Sequence, residues 1–229
     1  MDSSSPPAAP ISDSAFLEGL QRLPIFPLPG VVLFPNAVLP LHIFEARYRK
    51  MARDVLDSNR HLGVAFLKSA SDALHSDLPA VRPIMGVGEI VLAHELPDGR
   101  FNVLVRGRAR VEMDEELSSD EPYRIVSASL RKDLAVADPN ALVDADQALR
   151  ALVRRLAETV AEGGELLRKI VSTHSEPADL ADVLAAALIA EPPKRQRLLE
   201  MRNAMRRIEL VSTTVADMIG AVTRSDLKN

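Results

Sequence analysis

The chain has 229 residues, 47% of them hydrophobic and 26% charged, with a net charge of −4 at pH 7 and no cysteine. That length allows one or two domains with a sizeable core. The charge gives no bulk attraction to nucleic acid or anionic lipid, and the missing cysteines exclude disulfides, thiolate nucleophiles and cysteine-ligated metals. Neither part is basic: residues 1–140 carry 15 Lys/Arg against 19 Asp/Glu, and residues 141–229 carry 13 against 13. The start "MDSSSPPAAPISDSAFLEGLQR" has no basic residue before Arg22 and no apolar stretch of secretory type. No apolar run approaches the ~18 residues of a membrane span. These features together lead us to expect a cytoplasmic protein.

In chain order, the Ser-, Pro- and Ala-rich start predicts a disordered tail over residues 1–20. A β-rich domain is expected over 21–135 and a helical domain over 136–229. The stretch "LPIFPLPGVVLFPNAVLPLHIFEARY", residues 23–48, alternates short apolar runs with five prolines. Proline lacks a ladder N–H, so these residues are expected to end strands at corners and to blunt sheet edges. Strands are predicted near 25–28, 31–34, 38–43, 62–67, 86–95, 101–107, 109–117 and 123–130. Phe101, Val103, Val105, Gly107, Ala109, Val111 and Met113 fall on odd positions, which predicts one buried face. Asn102, Leu104, Arg106, Arg108 and Arg110 fall on the wet face. Gly107 predicts a bulge or bend, and "PDGR" at 97–100 predicts a hairpin turn. A helix is expected from Glu45 onward, with Tyr48, Met51, Ala52 and Val55 on its buried side.

Later in the chain the apolar spacing becomes helical. Leu142, Ala145, Leu149, Leu152, Leu156 and Val160 form one stripe, closed by "EGG" at 162–164. A shorter segment, 165–173, follows. Pro177 opens another helix that "EPP" at 191–193 stops. One last helix is predicted to carry Leu198, Met201, Met205, Ile208, Val215 and Ile219. These segments predict an antiparallel bundle of three or four helices.

Motifs for chemistry are sparse. "HELPD" at His94 lacks the second histidine of a zinc helix, since position 98 is Asp98. "GVGEIV" from Gly86 lacks the third glycine of a dinucleotide loop and reads as glycines that let a strand bend. The five histidines show no ligand spacing, and neither a phosphate loop nor a nucleophile elbow is present. Arg106, Arg108 and Arg110 read as a solvated strand face balanced by Glu112, Asp114 and Glu116. Arg195, Arg202 and Arg206 read as a wet flank of the last helix.

Several spaced elements resemble the N-terminal, substrate-binding domain of Lon-type ATP-dependent proteases. They are the 23–48 stretch, "LGVAFL" at 62–67, "GVGEI", "LPDGRFNVLVRGRARV", "YRIVSASL" at 123–130 and "KRQRLLEMRNAMRRIELV" at 194–211. One departure is Ala46, where family members often carry proline after the glutamate. The resemblance implies an α+β fold: a PUA-like β pseudo-barrel with one inserted helix, followed by an antiparallel helical bundle. The protease's phosphate loop and serine–lysine dyad do not occur in this sequence, so a stand-alone domain without enzymatic activity, cofactor or metal is expected. The function implied is recognition of unfolded or extended polypeptide segments, or docking onto a protease or chaperone. The means would be a shallow apolar patch at the barrel rim or strand addition to a poorly covered edge. Candidate contacts are Phe34, Phe44, Glu45, Arg47 and Tyr48, against a reading in which the aromatics are core and Glu45 and Arg47 tether the helix. An RNA-binding PUA-like module and an uncharacterised hydrolase are the alternatives. The even charge balance argues against the first and the missing catalytic residues against the second.

Overall fold

The computed structural model describes residues 13–69 and 78–226. The chain divides into two units, Met1–Arg131 and Lys132–Asn229. In the first, helix α1 (Asp13–Gly19) and a 3-10 turn (Leu20–Arg22) precede strand β1 (Leu23–Leu28). Then come β2 (Val38–Ile43), α2 (Ala46–Leu56), β3 (His61–Phe66), β4 (Ile84–Glu95), β5 (Phe101–Leu117) and β6 (Ile125–Leu130). Of the tail expected over 1–20, residues 1–12 lie outside the described residues. Residues 13–20 of that stretch are helix and 3-10 turn, because Phe16 and Leu20 bury themselves in the core.

The strands run in the order β2-β5-β4-β3-β1-β6, and β5 pairs again with β6. Five strands therefore close a ring, and β2 hangs outside it on the first half of β5. This is the α+β pseudo-barrel that the sequence predicts. Among these described strands only the β1–β3 pairing is parallel.

The two strands expected at 101–107 and 109–117 are one strand of 17 residues. Gly107 opposes Gly88 while Ala109 opposes Val87, so Arg108 is an extra residue bulged out of the ladder. One extra residue moves every later side chain to the other face. Accordingly Phe101, Val103 and Val105 join a core cluster with Tyr48, Met51 and Val55 of α2. Val111 joins a second cluster with Phe16, Leu20, Val87 and Val126. A single alternating sequence thus serves two cores. The "PDGR" turn forms as expected: Gly99 N–H bonds the Leu96 carbonyl at 2.8 Å, and Gly99 takes φ 78°.

The predicted strand at 31–34 does not form. Val32, Leu33 and Phe34 are buried, but their backbone lies across β4 and β5. There a Cβ on Gly86 would strike the Leu33 carbonyl, and one on Gly107 would strike that of Phe34. The glycines of "GVGEIV" thus admit a crossing segment. That segment closes in a turn with Pro35 second and Asn36 third at φ 61°, and Ala37 N–H bonds the Phe34 carbonyl at 3.2 Å, the geometry of a type II turn.

Strand β1 contradicts the expected role of proline. It carries Pro24 and Pro27, yet has neighbours on both sides. Its pairing with β6 covers Leu23 and Pro24. Its pairing with β3 covers Ile25 to Leu28. Ile25 N–H bonds the Arg124 carbonyl on the β6 side, and the Leu28 carbonyl accepts from Leu67 on the β3 side. Alternation then points the nitrogen of Pro24 toward β3 before that ladder begins, and the nitrogen of Pro27 toward β6 after that ladder has ended. Staggered ladders spare both prolines a lost bond.

The second unit holds α3 (Pro139–Thr159), α4 (Gly164–Thr173), α5 (Pro177–Leu188), α6 (Pro192–Glu200) and α7 (Ala204–Asp226). Prolines sit in the first turns of α3, α5 and α6, where a missing N–H costs nothing. The buried seam of α3 is Leu149, Val153, Leu156 and Ala157, slightly rotated from the predicted stripe. The expected single last helix is two. Asn203 accepts the Arg206 N–H at 3.1 Å and starts α7. The break also frees the Met201 carbonyl to accept from buried Arg207 at 2.8 Å. Arg207 further pairs with Asp133 at 2.6 Å and Asp182 at 3.1 Å. The basic stripe expected on one helix is therefore dispersed. Arg195 bonds the Ile189 carbonyl, Arg202 that of Lys132, and Arg206 pairs with Glu209. Among the described residues no helix is long and apolar enough to cross a membrane.

Candidate functional site

The start of α2 separates two surfaces of the first unit. Glu45 is the N-cap in extended conformation, its carbonyl taking the Arg49 N–H at 2.8 Å. Its carboxylate does not cap the helix but pairs with Arg47 at 3.0 Å. Both side chains are well exposed, so the pair is worth about 0–1 kcal/mol. Met51, Ala52 and Val55 are buried as the helical spacing predicts. Tyr48 joins them, its ring 4.5 Å from that of Phe26 and beneath the Arg47 guanidinium at 4.7 Å. Burial pushes the Tyr48 hydroxyl up from its ordinary range, with Arg47 opposing.

On one side of Tyr48 lies a groove of about 250 Å³, lined by Pro27, Tyr48, Leu78, Pro122, Tyr123 and Arg124 among others. It opens where β1 has outrun β6, beside the ring of Pro27. Arg124 grips Glu116 through two nitrogens, at 2.7 and 2.6 Å, and the Pro79 carbonyl through a third at 2.7 Å. Tyr123 donates to Asp54 at 2.7 Å, and Lys50 bridges Asp54 at 2.7 Å and Glu121 at 2.8 Å. Burial and the Asp54 carboxylate push the Tyr123 hydroxyl up. Asp54 is held low: burial works to raise it, but hydrogen bonds from Lys50 and Tyr123 outweigh that. An acid made weaker and a base made weaker are poorly matched to proton transfer near neutral pH, so this network suits holding rather than reacting.

On the other side lies the outer face of β2. Gly107 N–H bonds the Ala37 carbonyl at 2.9 Å, and Asn36 N–H bonds the Gly107 carbonyl at 3.0 Å. From that register the ladder alternates. Leu39, Leu41 and Ile43 turn their main-chain polar groups to β5, and Val38, Pro40 and His42 turn theirs away. The side-chain hydrogen bond between His42 Nδ1 and Asn102 Oδ1 at 2.7 Å fits a close cross-strand pair whose main chains are not bonded to each other. Val38 is 57% exposed and Phe44 60% exposed, the latter stacked on His42. Pro40 lies opposite Leu104, which lies opposite Leu92, itself 43% exposed. The result is an apolar row across three strands beside a sheet edge to which, among the described residues, no other strand is paired.

Of the predicted contact residues, Phe44, Glu45 and Arg47 are at the surface, and Tyr48 is buried but lines the groove. Phe34 is fully buried and has no surface to offer a partner. Val38, Pro40, Leu92, Leu104 and Tyr123 carry no contact signal in the sequence motifs. Leu104 is marked by parity alone, as an aliphatic residue on the wet side of β5. Among the described residues no ion pair joins Arg106 or Arg108 to Glu112, Asp114 or Glu116. Arg108 and Arg106 share buried Glu89, at 3.2 and 3.9 Å, while Arg110 is itself buried. Among the described residues no three histidines or carboxylates gather as metal ligands.

A sequence model of the ATP-dependent protease La (LON) substrate-binding domain matches residues 22–217. The chain belongs to this family. It is 26% identical over 206 residues to the Lon protease of Brevibacillus choshinensis, covering 85% of this chain and 25% of that protein. It is 29% identical over 191 residues to that of Roseiflexus castenholzii, covering 82% and 23%. It thus spans about a quarter of the length of these Lon relatives. Among solved structures, the N-terminal domain of Mycobacterium avium complex Lon protease superposes with a TM-score of 0.64 at 18% identity, covering 86% of this chain and 98% of that one. The Lon N-terminal domain protein from Xanthomonas campestris gives 0.54 at 22%, covering 83% and 96%. At these identities the superpositions establish the fold.

Proposed function

We propose that this chain is a non-catalytic binding module for polypeptides that expose apolar residues. The observation that carries the reading is the row of Val38, Pro40, half-buried Leu104 and Leu92 with Phe44 beside it, apolar side chains next to an edge of β2 that no described strand pairs. Large exposed apolar residues scattered singly are ordinary, but a contiguous row beside a free edge marks a surface that another chain covers. The family's description as the substrate-binding domain of a protease supports the same reading, because a protease's substrate is a polypeptide. The charged groups around the groove are already paired, which suits a rim that admits polypeptide without fixing one sequence.

The test is fluorescence anisotropy of the full chain against labelled α-lactalbumin that has been reduced and carboxymethylated, with native α-lactalbumin as competitor. The reading expects binding of the unfolded form only, weakened about tenfold by Phe44→Asp. Binding of RNA with steep salt dependence, and none of the unfolded chain, would overturn it.

A further inference from the structure

We propose that the captured segment binds as an added strand on the open edge of β2, with Pro40 fixing which registers are allowed. This rests on the binding function proposed above and specifies its mode. The main-chain groups of Val38, Pro40 and His42 turn away from β5, and among the described residues no backbone bond reaches them from outside. That edge offers two N–H donors, at Val38 and His42, and three carbonyl acceptors. An extended chain laid alongside satisfies them with its own main chain, whatever its side chains, while its alternate residues fall on the apolar row.

Pro40 says what does not bind there. A second copy of β2 laid antiparallel and centred on Pro40 sets two prolines against each other, and both strands forfeit a bond. A shifted register still sets a proline in a donor position. A foreign chain loses one bond at most. Arg106 adds a charge preference. It lies opposite Val38 with its side chain about half exposed, and the carboxylate nearest it, Glu89, is 3.9 Å away and shared with Arg108. The segment that fits is therefore extended, apolar at alternate positions, and acidic at the end that reaches Val38.

The experiment begins with an array of overlapping peptides from carboxymethylated α-lactalbumin. The tightest binder to the full chain is then resynthesised with each backbone nitrogen methylated in turn. Methylation of alternate residues should weaken binding about tenfold or more, and methylation of those between should change it less than about twofold. Pro40→Val restores the missing donor, and should tighten binding severalfold and raise the protein's apparent mass in solution relative to wild type. Equal tolerance of methylation at all positions, with Phe44→Asp still weakening binding about tenfold, would overturn the strand mode while leaving the binding function standing. An unchanged affinity and mass for Pro40→Val would count against it in the same way. Absence of binding by the unfolded protein and by every peptide removes both readings together.

Discussion

Strands β1 and β2 come from one proline-punctuated stretch and have opposite fates. β1 holds two prolines and is central, and β2 holds one and is an edge. The difference lies in which way the proline nitrogen points relative to the neighbouring ladders. In β1 the ladders are staggered, so each proline faces a side where pairing has not begun or has already ended. The space left beside Pro27 is roofed by Tyr123, Leu78 and Arg124 and becomes the groove. In β2 the corresponding side has no paired strand among the described residues. Proline content therefore does not mark an edge; the pairing register around it does.

The comparison can be broken most severely at the crossing segment that separates the two strands. Gly107→Val drives a side chain into the Phe34 carbonyl, and the loss in stability should reach about 3 kcal/mol, read from urea unfolding. Unchanged stability would mean that the crossing is not tightly held. Next comes the contrast between prolines. Pro27→Val introduces an N–H into a buried site past the end of the β6 ladder and should cost about 1–2 kcal/mol. Pro40→Val adds the same group at an exposed edge and should shift stability by less than about 0.5 kcal/mol. Similar costs at both sites would erase the distinction. Tyr123→Phe removes a bond to Asp54 from the groove wall and should cost about 1 kcal/mol while leaving Phe44-dependent binding intact.

The smallest expected effect is one of pH. His61 on β3 is buried against Phe16 of α1, its ring nitrogens without hydrogen bonds. Burial lowers its pKa, with Glu89 opposing and Arg108 reinforcing. The unfolded chain takes up a proton below the ordinary histidine range of about 6.5 and the folded chain resists it. Stability is thus fully present above about pH 7 and declines as pH falls toward 5. His61→Phe should flatten that slope in unfolding series run across the interval.

Much of the architecture was legible because it follows from short-range chemistry. The spacing of Tyr48, Met51, Ala52 and Val55 gave the buried side of α2, and Pro97 to Arg100 gave the hairpin. What stayed hidden depends on long-range partners. Residues 31–34 have strand composition, but the glycines that receive their backbone lie more than fifty positions later. The break before α7 lets the Met201 carbonyl accept from Arg207, whose carboxylate partners, Asp133 and Asp182, are remote in sequence. The site divides the same way. Phe44 belongs to the 23–48 stretch from which the candidate contacts come, whereas the row from Pro40 to Leu92 is assembled by pairing three strands, and Tyr123 reaches the groove through barrel closure.

The most direct measurement is amide hydrogen exchange resolved to single residues of β2, with and without bound carboxymethylated α-lactalbumin. The Val38 and His42 amides should exchange rapidly in the free chain and become protected on binding, while Leu39 and Leu41, already bonded to β5, stay as they were. Binding that leaves Val38 and His42 exchanging freely would contradict the claim that polypeptides are held along this edge.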